Sequence, residues 1–187
     1  TVDFAGMLSV ADILPVMIAY IDEAQRFLFV NKVLADWFEI PRSEMLGKTL
    51  REVLGEKAYA DREPLVAAAL RGERQFFASG YDHPARGSVA VQTDYVPWAD
   101  SSGVVRGLII LVQDVTEQRV AERALRESEA RFRRIANQAP VLMWVTRLDR
   151  TRDFVNDAYI DFLGVSREEA RSTDWRLLIH PDDHDRI

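Results

Sequence analysis

The chain has 187 residues, 48% of them hydrophobic, and 24 Lys and Arg against 30 Asp and Glu give a net charge of −6. That length suits one or two soluble globular domains, and the acidic balance leaves no basic field to gather phosphates, which argues against nucleic acid as a partner. The lack of cysteine excludes disulfides, thiolate nucleophiles and cysteine-held zinc or iron–sulfur centres, in keeping with a reducing cytoplasm.

The opening "TVDFAGML" is neither a signal peptide nor a natural start, so a piece of a longer chain is expected, with residues 1–12 assigned to a flanking helix. "VMIAYID" and "RFLFVN" are β-rich runs separated by the polar "EAQ", which predicts an antiparallel hairpin. Asn31 then stands where an N-cap is wanted before "KVLADWF", and a cap accounts for it better than a catalytic role. "PRSEMLG" reads as a helical turn closed by Gly47, and Thr49 with Glu52 has the spacing of a capping box opening "LREVLG". "AYADREPLVAAALRG" reads as one substantial helix, with Leu65, Val66, Ala69 and Leu70 on its apolar face and Gly72 at its end. Three strands follow, "QFFASGY", "SVAVQTDYVPW" and "VVRGLIILVQDV", with turns at Asp82-His83-Pro84 and Asp100-Ser101-Ser102-Gly103.

"EQRVAERALRESEARFRRIAN" predicts a long helix, residues 116–138. With Gln118, Leu125, Phe132 and Ala139 at heptad a and Ala121, Ser128 and Ile135 at d, it carries a continuous but thin apolar seam. Glu122 with Arg126, Glu127 with Arg131 and Glu129 with Arg133 are i,i+4 pairs, each adding ~0.2 to 0.5 kcal/mol of helical support. At ~1.5 Å per residue the rod is roughly 35 Å long. It is either a solvated connector or one strand of a parallel coiled coil in a homodimer. Gln118 and Ser128 would weaken such pairing, as a switch between two packings requires. No run reaches the ~18 to 20 apolar residues of a membrane span, so no membrane contact is expected of this segment, whether or not the parent is anchored.

"FVNKVLADWF" at residues 29–38 returns as "FVNDAYIDFL" at 154–163. The same offset pairs Pro15-Val16 with Pro140-Val141, Asp36 with Asp161, Arg42 with Arg167 and Glu44 with Glu169, while apolar positions between them match in kind. One register held this long marks the repeat of a whole domain. The second copy stops before the counterpart of the longer helix and last three strands. The second copy is bounded at 139–187; two strands with short helices cannot bury a sheet face, so residues 140–187 are expected to be poorly ordered or to borrow packing from the first domain or another subunit.

Strand, strand, short helices, a longer helix, three strands and then Asp114-Val115-Thr116-Glu117 together resemble the PAS family of sensory domains, as do Pro15, the "FVN" step and the "DSSGVVRG" turn. The likeness covers residues 10–117, with 13–117 taken as the complete domain, and the second copy, with its "LLIHPDDHDR", is similar to the start of another PAS domain. The resemblance implies an α+β fold, a five-stranded antiparallel sheet with short helices and one longer helix on one face, followed by the connector. It also implies an apolar pocket between sheet and helices. Strand alternation aims one parity inward, and the resemblance implies that in the last strand this is Leu108, Ile110 and Val112, because the family often uses the position two before the matched aspartate on the pocket side; Tyr20, Phe29, Trp37, Phe38, Leu65, Phe77, Val91 and Tyr95 are further pocket candidates, although each also suits ordinary core. Flavin–cysteine photochemistry is excluded because the LOV subfamily needs a cysteine, and Val112 stands where that subfamily usually has glutamine. Haem would have to use His83 in its turn, which is not expected. A small apolar or aromatic metabolite, or a packed and empty core, remains. In the family, the aspartate and threonine matched by Asp114 and Thr116 commonly anchor the last strand to the outgoing helix, so these two with Glu117 are assigned to signal relay. A homodimer and a downstream output domain in the same chain, a histidine kinase or diguanylate cyclase, are the implied partners.

Two other chemistries stand beside this. His180, Asp182, Asp183 and His184 in "HPDDHD" are acceptable metal ligands, but Pro181 and the aspartates suit a helix start better. No enzyme constellation emerges. The rival is a small cone-shaped α+β enzyme using Asp94 against Tyr95 or Tyr20, which requires an inward-facing aspartate of raised pKa, whereas the PAS resemblance puts Asp94 on the solvent side.

Overall fold

The computed structural model describes residues 10–83, 85–149, 151–172, 180 and 182. They fall into two units, one up to Val120 and one from Ala121 onward.

In the first unit β1 (Met17–Asp22) and β2 (Phe27–Val30) form the expected hairpin. Five short helices follow: α1 (Lys32–Phe38), α2 (Arg42–Met45), α3 (Leu50–Leu54), α4 (Glu56–Ala60) and α5 (Glu63–Leu70). Then come β3 (Gln75–His83), β4 (Gly87–Ala99) and β5 (Val105–Asp114), and the sheet runs β2-β1-β5-β4-β3 with every pairing antiparallel. The capping box at Thr49 is closed in both directions with Glu52, which fixes the start of α3.

"AYADREPLVAAALRG" is not one helix. It breaks at Asp61 and Arg62 between α4 and α5, because Pro64 in the first turn of α5 lacks an N–H and its ring would collide with the preceding turn of a continuous helix. His83 also departs from expectation: it ends β3, buried, rather than sitting in a turn. Its Nδ1 accepts from the backbone N–H groups of Ala85 and Arg86, which leaves Nε2 to donate to the Trp37 carbonyl at 2.7 Å.

The helices cover one face of the sheet. Met17, Ala19 and Ile21 alternate into the core from β1, as period-2 geometry requires. In β2 a bulge interrupts the alternation: Ala19 faces Val30 and Tyr20 faces Phe29, but Ile21 faces Phe27, so Leu28 is the extra residue. Phe27 and Val30 therefore point inward, and Phe29 is carried to the outer face with Tyr20.

Helix α6 (Thr116–Gln138) spans the predicted residues. Glu122 pairs with Arg126 as expected, but Glu127 takes Arg123 rather than Arg131, and Arg133 lies over the Phe154 ring rather than on Glu129. In the second unit β6 (Trp144–Thr146) and β7 (Arg152–Val155) repeat the hairpin with a bulge at the equivalent place, followed by α7 (Asp157–Leu163) and α8 (Arg167–Ser172). Val155, Tyr159 and Ala170 form a small core of its own, while Trp144, Val145 and Phe162 stay exposed. Of "HPDDHD", Pro181, Asp183, His184 and Asp185 lie outside the described residues, so neither the metal cluster nor the helix start is addressed.

Candidate functional site

Between sheet and helices the first unit encloses a cavity of about 60 Å³. Its floor is the inward parity of the sheet: Met17 and Ala19 from β1, Phe27 from β2, Ile110 and Val112 from β5, and Val91, Thr93 and Tyr95 from β4. Leu34, Trp37 and Phe38 of α1, Leu50 and Leu54 of α3, Arg62 and the β3 residue Tyr81 close the other side.

Six sequence candidates thus meet at one place: Trp37, Phe38, Val91, Tyr95, Ile110 and Val112. Five do not. Tyr20 and Phe29 are on the opposite face, where Tyr20 meets Trp98 edge to face at 5.6 Å, Leu108 is buried in the core, and Leu65 and Phe77 pack on that core, none of these three lining the cavity. The bulge misplaced Phe29 and hid Phe27. Thr93 was readable from alternation, since Val91 and Tyr95 flank it, and Tyr81 follows from Phe77 in the same way. Arg62 carried no signal, because a charged residue in a polar stretch reads as solvated surface.

The chemistry is mainly apolar. Trp37, Tyr81 and His83 cluster, with Trp37 and His83 edge to face at 4.8 Å. Burial pushes the Tyr95 hydroxyl up to about 12, although the nearby Arg62 opposes it, so it remains a neutral donor. Asp94 lies on the other parity of β4, gripped by Arg74 through Nε at 2.9 Å and Nη2 at 2.5 Å, and these bonds hold its carboxyl below the usual range. The proton-transfer alternative needed the opposite shift and the inward face, and Asp94 has neither.

At the end of β5, the central strand, the residues assigned to relay join strand to helix. Asp114 Oδ1 accepts from Thr116 N–H at 2.9 Å, and Thr116 Oγ1 accepts from Ala90 N–H at 2.9 Å. Val115 N–H in turn donates to the Ala90 carbonyl. Glu117 lies exposed in the first turn of α6. The seam residues Gln118, Ala121, Leu125, Ser128, Phe132 and Ile135 are all exposed as well, although the Phe132 ring also lies 5.4 Å from that of Phe154.

A family model described as PAS fold matches residues 11–120, and a second with the same description matches residues 130–187. The chain belongs to the PAS family, a class of sensory and generally non-catalytic domains. Its fold is similar to that of the PAS domain of Bordetella pertussis BvgS, at 25% identity and a TM-score of 0.51, over 70% of this chain and 98% of that one. A Vibrio cholerae VqmA dimer matches at 16% identity and a TM-score of 0.54 over 89% of this chain and 76% of that one, which bears on the fold alone. An uncharacterised protein of Sinorhizobium fredii, y4lL, is 29% identical over 153 residues, or 82% of this chain and 17% of that protein. The chain spans about a sixth of the length of that curated relative. Among the described residues no helix is long and apolar enough to cross a membrane.

Proposed function

We propose that the first PAS domain is a cytoplasmic sensor that holds a small ligand in this cavity and passes the change through Asp114, Thr116 and Glu117 into α6. The helix pairs in parallel with that of a second copy and controls an output domain further along the chain, a histidine kinase or diguanylate cyclase. The observation that carries this is Ala90. Its backbone is stitched to Thr116 and Val115, and it immediately precedes Val91, Thr93 and Tyr95 on the cavity floor. A change in cavity occupancy that shifts β4 therefore acts on the root of α6.

A second reading, a ligand-free module for dimerisation and protein contact, is favoured by the small size of the cavity, about 60 Å³. The acidic composition supports a protein partner over nucleic acid in either case. The test of the relay is helical phase. One or two residues inserted near Arg126 in the full-length protein rotate everything beyond them, whereas seven restore the heptad. Output should change sharply with the short insertions and largely survive the long one; equal outputs would overturn the coiled-coil relay.

A further inference from the structure

Arg62 is only 9% exposed, yet its guanidinium touches neutral groups: Nη1 donates to the Ala58 carbonyl at 2.7 Å and Nη2 to Ser79 Oγ at 3.3 Å. Among the described residues it has no carboxylate partner. A buried cation without an anion is costly, because desolvation is only partly offset by neutral acceptors. Arg62 is also the one charged residue lining a cavity that is otherwise apolar apart from the hydroxyl-bearing Thr93, Tyr95 and Tyr81. The Thr93 and Tyr95 hydroxyls have no hydrogen-bond partner among the described residues, and both residues are almost fully buried.

A wall of apolar side chains with a few converging polar groups is the composition of a small-molecule site. Its polar groups here are a cation and neutral donors, which fit an anion. We propose that the ligand of the first PAS domain is a small organic monocarboxylate, its carboxylate on Arg62 and its apolar body against Trp37 and Phe38. This rests on the reading of that domain as a ligand sensor. The carboxylate supplies the missing counter-charge, and the planar guanidinium matches its geometry. About 60 Å³ is well below the ~150 Å³ cavity that takes benzene. A ring-sized acid must therefore push the wall outward, and α3, five residues long and bearing Leu50 and Leu54, is a short element for that displacement.

The test is calorimetric titration of the 187-residue chain with benzoate, phenylacetate and 3-methylbutanoate, and with the neutral amide of each. The acids should bind at least tenfold more tightly than their amides. Arg62→Met should abolish that preference and melt no lower than wild type, since it removes an unpaired buried charge. If it fails to fold, Arg62→Lys, which keeps the charge and loses the fork, should show a reduced but surviving preference. Equal binding of acids and amides by wild type overturns the carboxylate and leaves ligand sensing standing. Binding of no compound at millimolar concentration, together with an Arg62→Met variant that melts lower, overturns both and assigns Arg62 to structure.

Discussion

Asn31 is fully buried and uses every hydrogen-bonding site of its side chain. Oδ1 accepts from Ile18 N–H at 2.9 Å and Leu34 N–H at 3.0 Å, and Nδ2 donates to the Ala11 and Val16 carbonyls, both at 2.8 Å. Asn156 repeats the pattern with Met143, Tyr159, Ala136 and Val141, each 125 residues on. The cap half of this role is legible in the sequence, because a cap needs only an oxygen before an apolar helix. The donor half is not, since the carbonyls it meets come from the preceding helical turn and the approach to β1. Asn31→Asp separates the two halves: it keeps the cap oxygen but sets a buried carboxylate against two carbonyls. It should destabilise the first domain by roughly 3 kcal/mol in urea denaturation. A loss under about 0.5 kcal/mol would mean that the donor bonds contribute little.

At the scale of elements, Gly107 of β5 is set between β1 and β4, facing Asp22 on one side and Trp98 on the other. A Cβ there would fall 2.0 Å from the Ile21 carbonyl oxygen and 2.9 Å from the Tyr20 ring, and neither backbone can yield without parting the strands. Gly107→Ala should therefore cost about 1 to 3 kcal/mol by overpacking, whereas Gly80→Ala, with open space around it, should stay within about 0.5 kcal/mol of wild type. Paired denaturation curves decide it, and equal stabilities would show that β1 moves freely against β5. The strands were legible from alternation and turn residues, and the end of α5 from Gly72. Less legible were the elements that depend on a single local exception: the Pro64 break, the Leu28 bulge, and His83, whose backbone bonds turn a polar residue into a buried strand end. Arg62 became a site residue only when the break at Pro64 brought it against the cavity.

For the whole molecule, α6 is the joint on which any relay must act. Its first turn is fastened to β4 through Thr116 and its last to the second hairpin through the Ala136 carbonyl, held by Asn156 as Ala11 is held by Asn31. Between these fixed points the helix is exposed, with Leu125 and Ile135 both 61% accessible in the single chain. Phe132 is shared, since it also faces Phe154, so the proposed seam rests chiefly on the other two apolar side chains. Burying one Leu or Ile contributes ~1.5 to 3 kcal/mol. Leu125→Glu with Ile135→Glu removes that from each helix and sets like charges across the seam, so self-association should weaken by more than about 100-fold. The first domain, which neither side chain enters, should keep its melting temperature. Light scattering across a dilution series, with calorimetric melting of the same samples, reads both quantities. A dimer that survives the double substitution would move the interface off α6 and leave the helix a solvated connector.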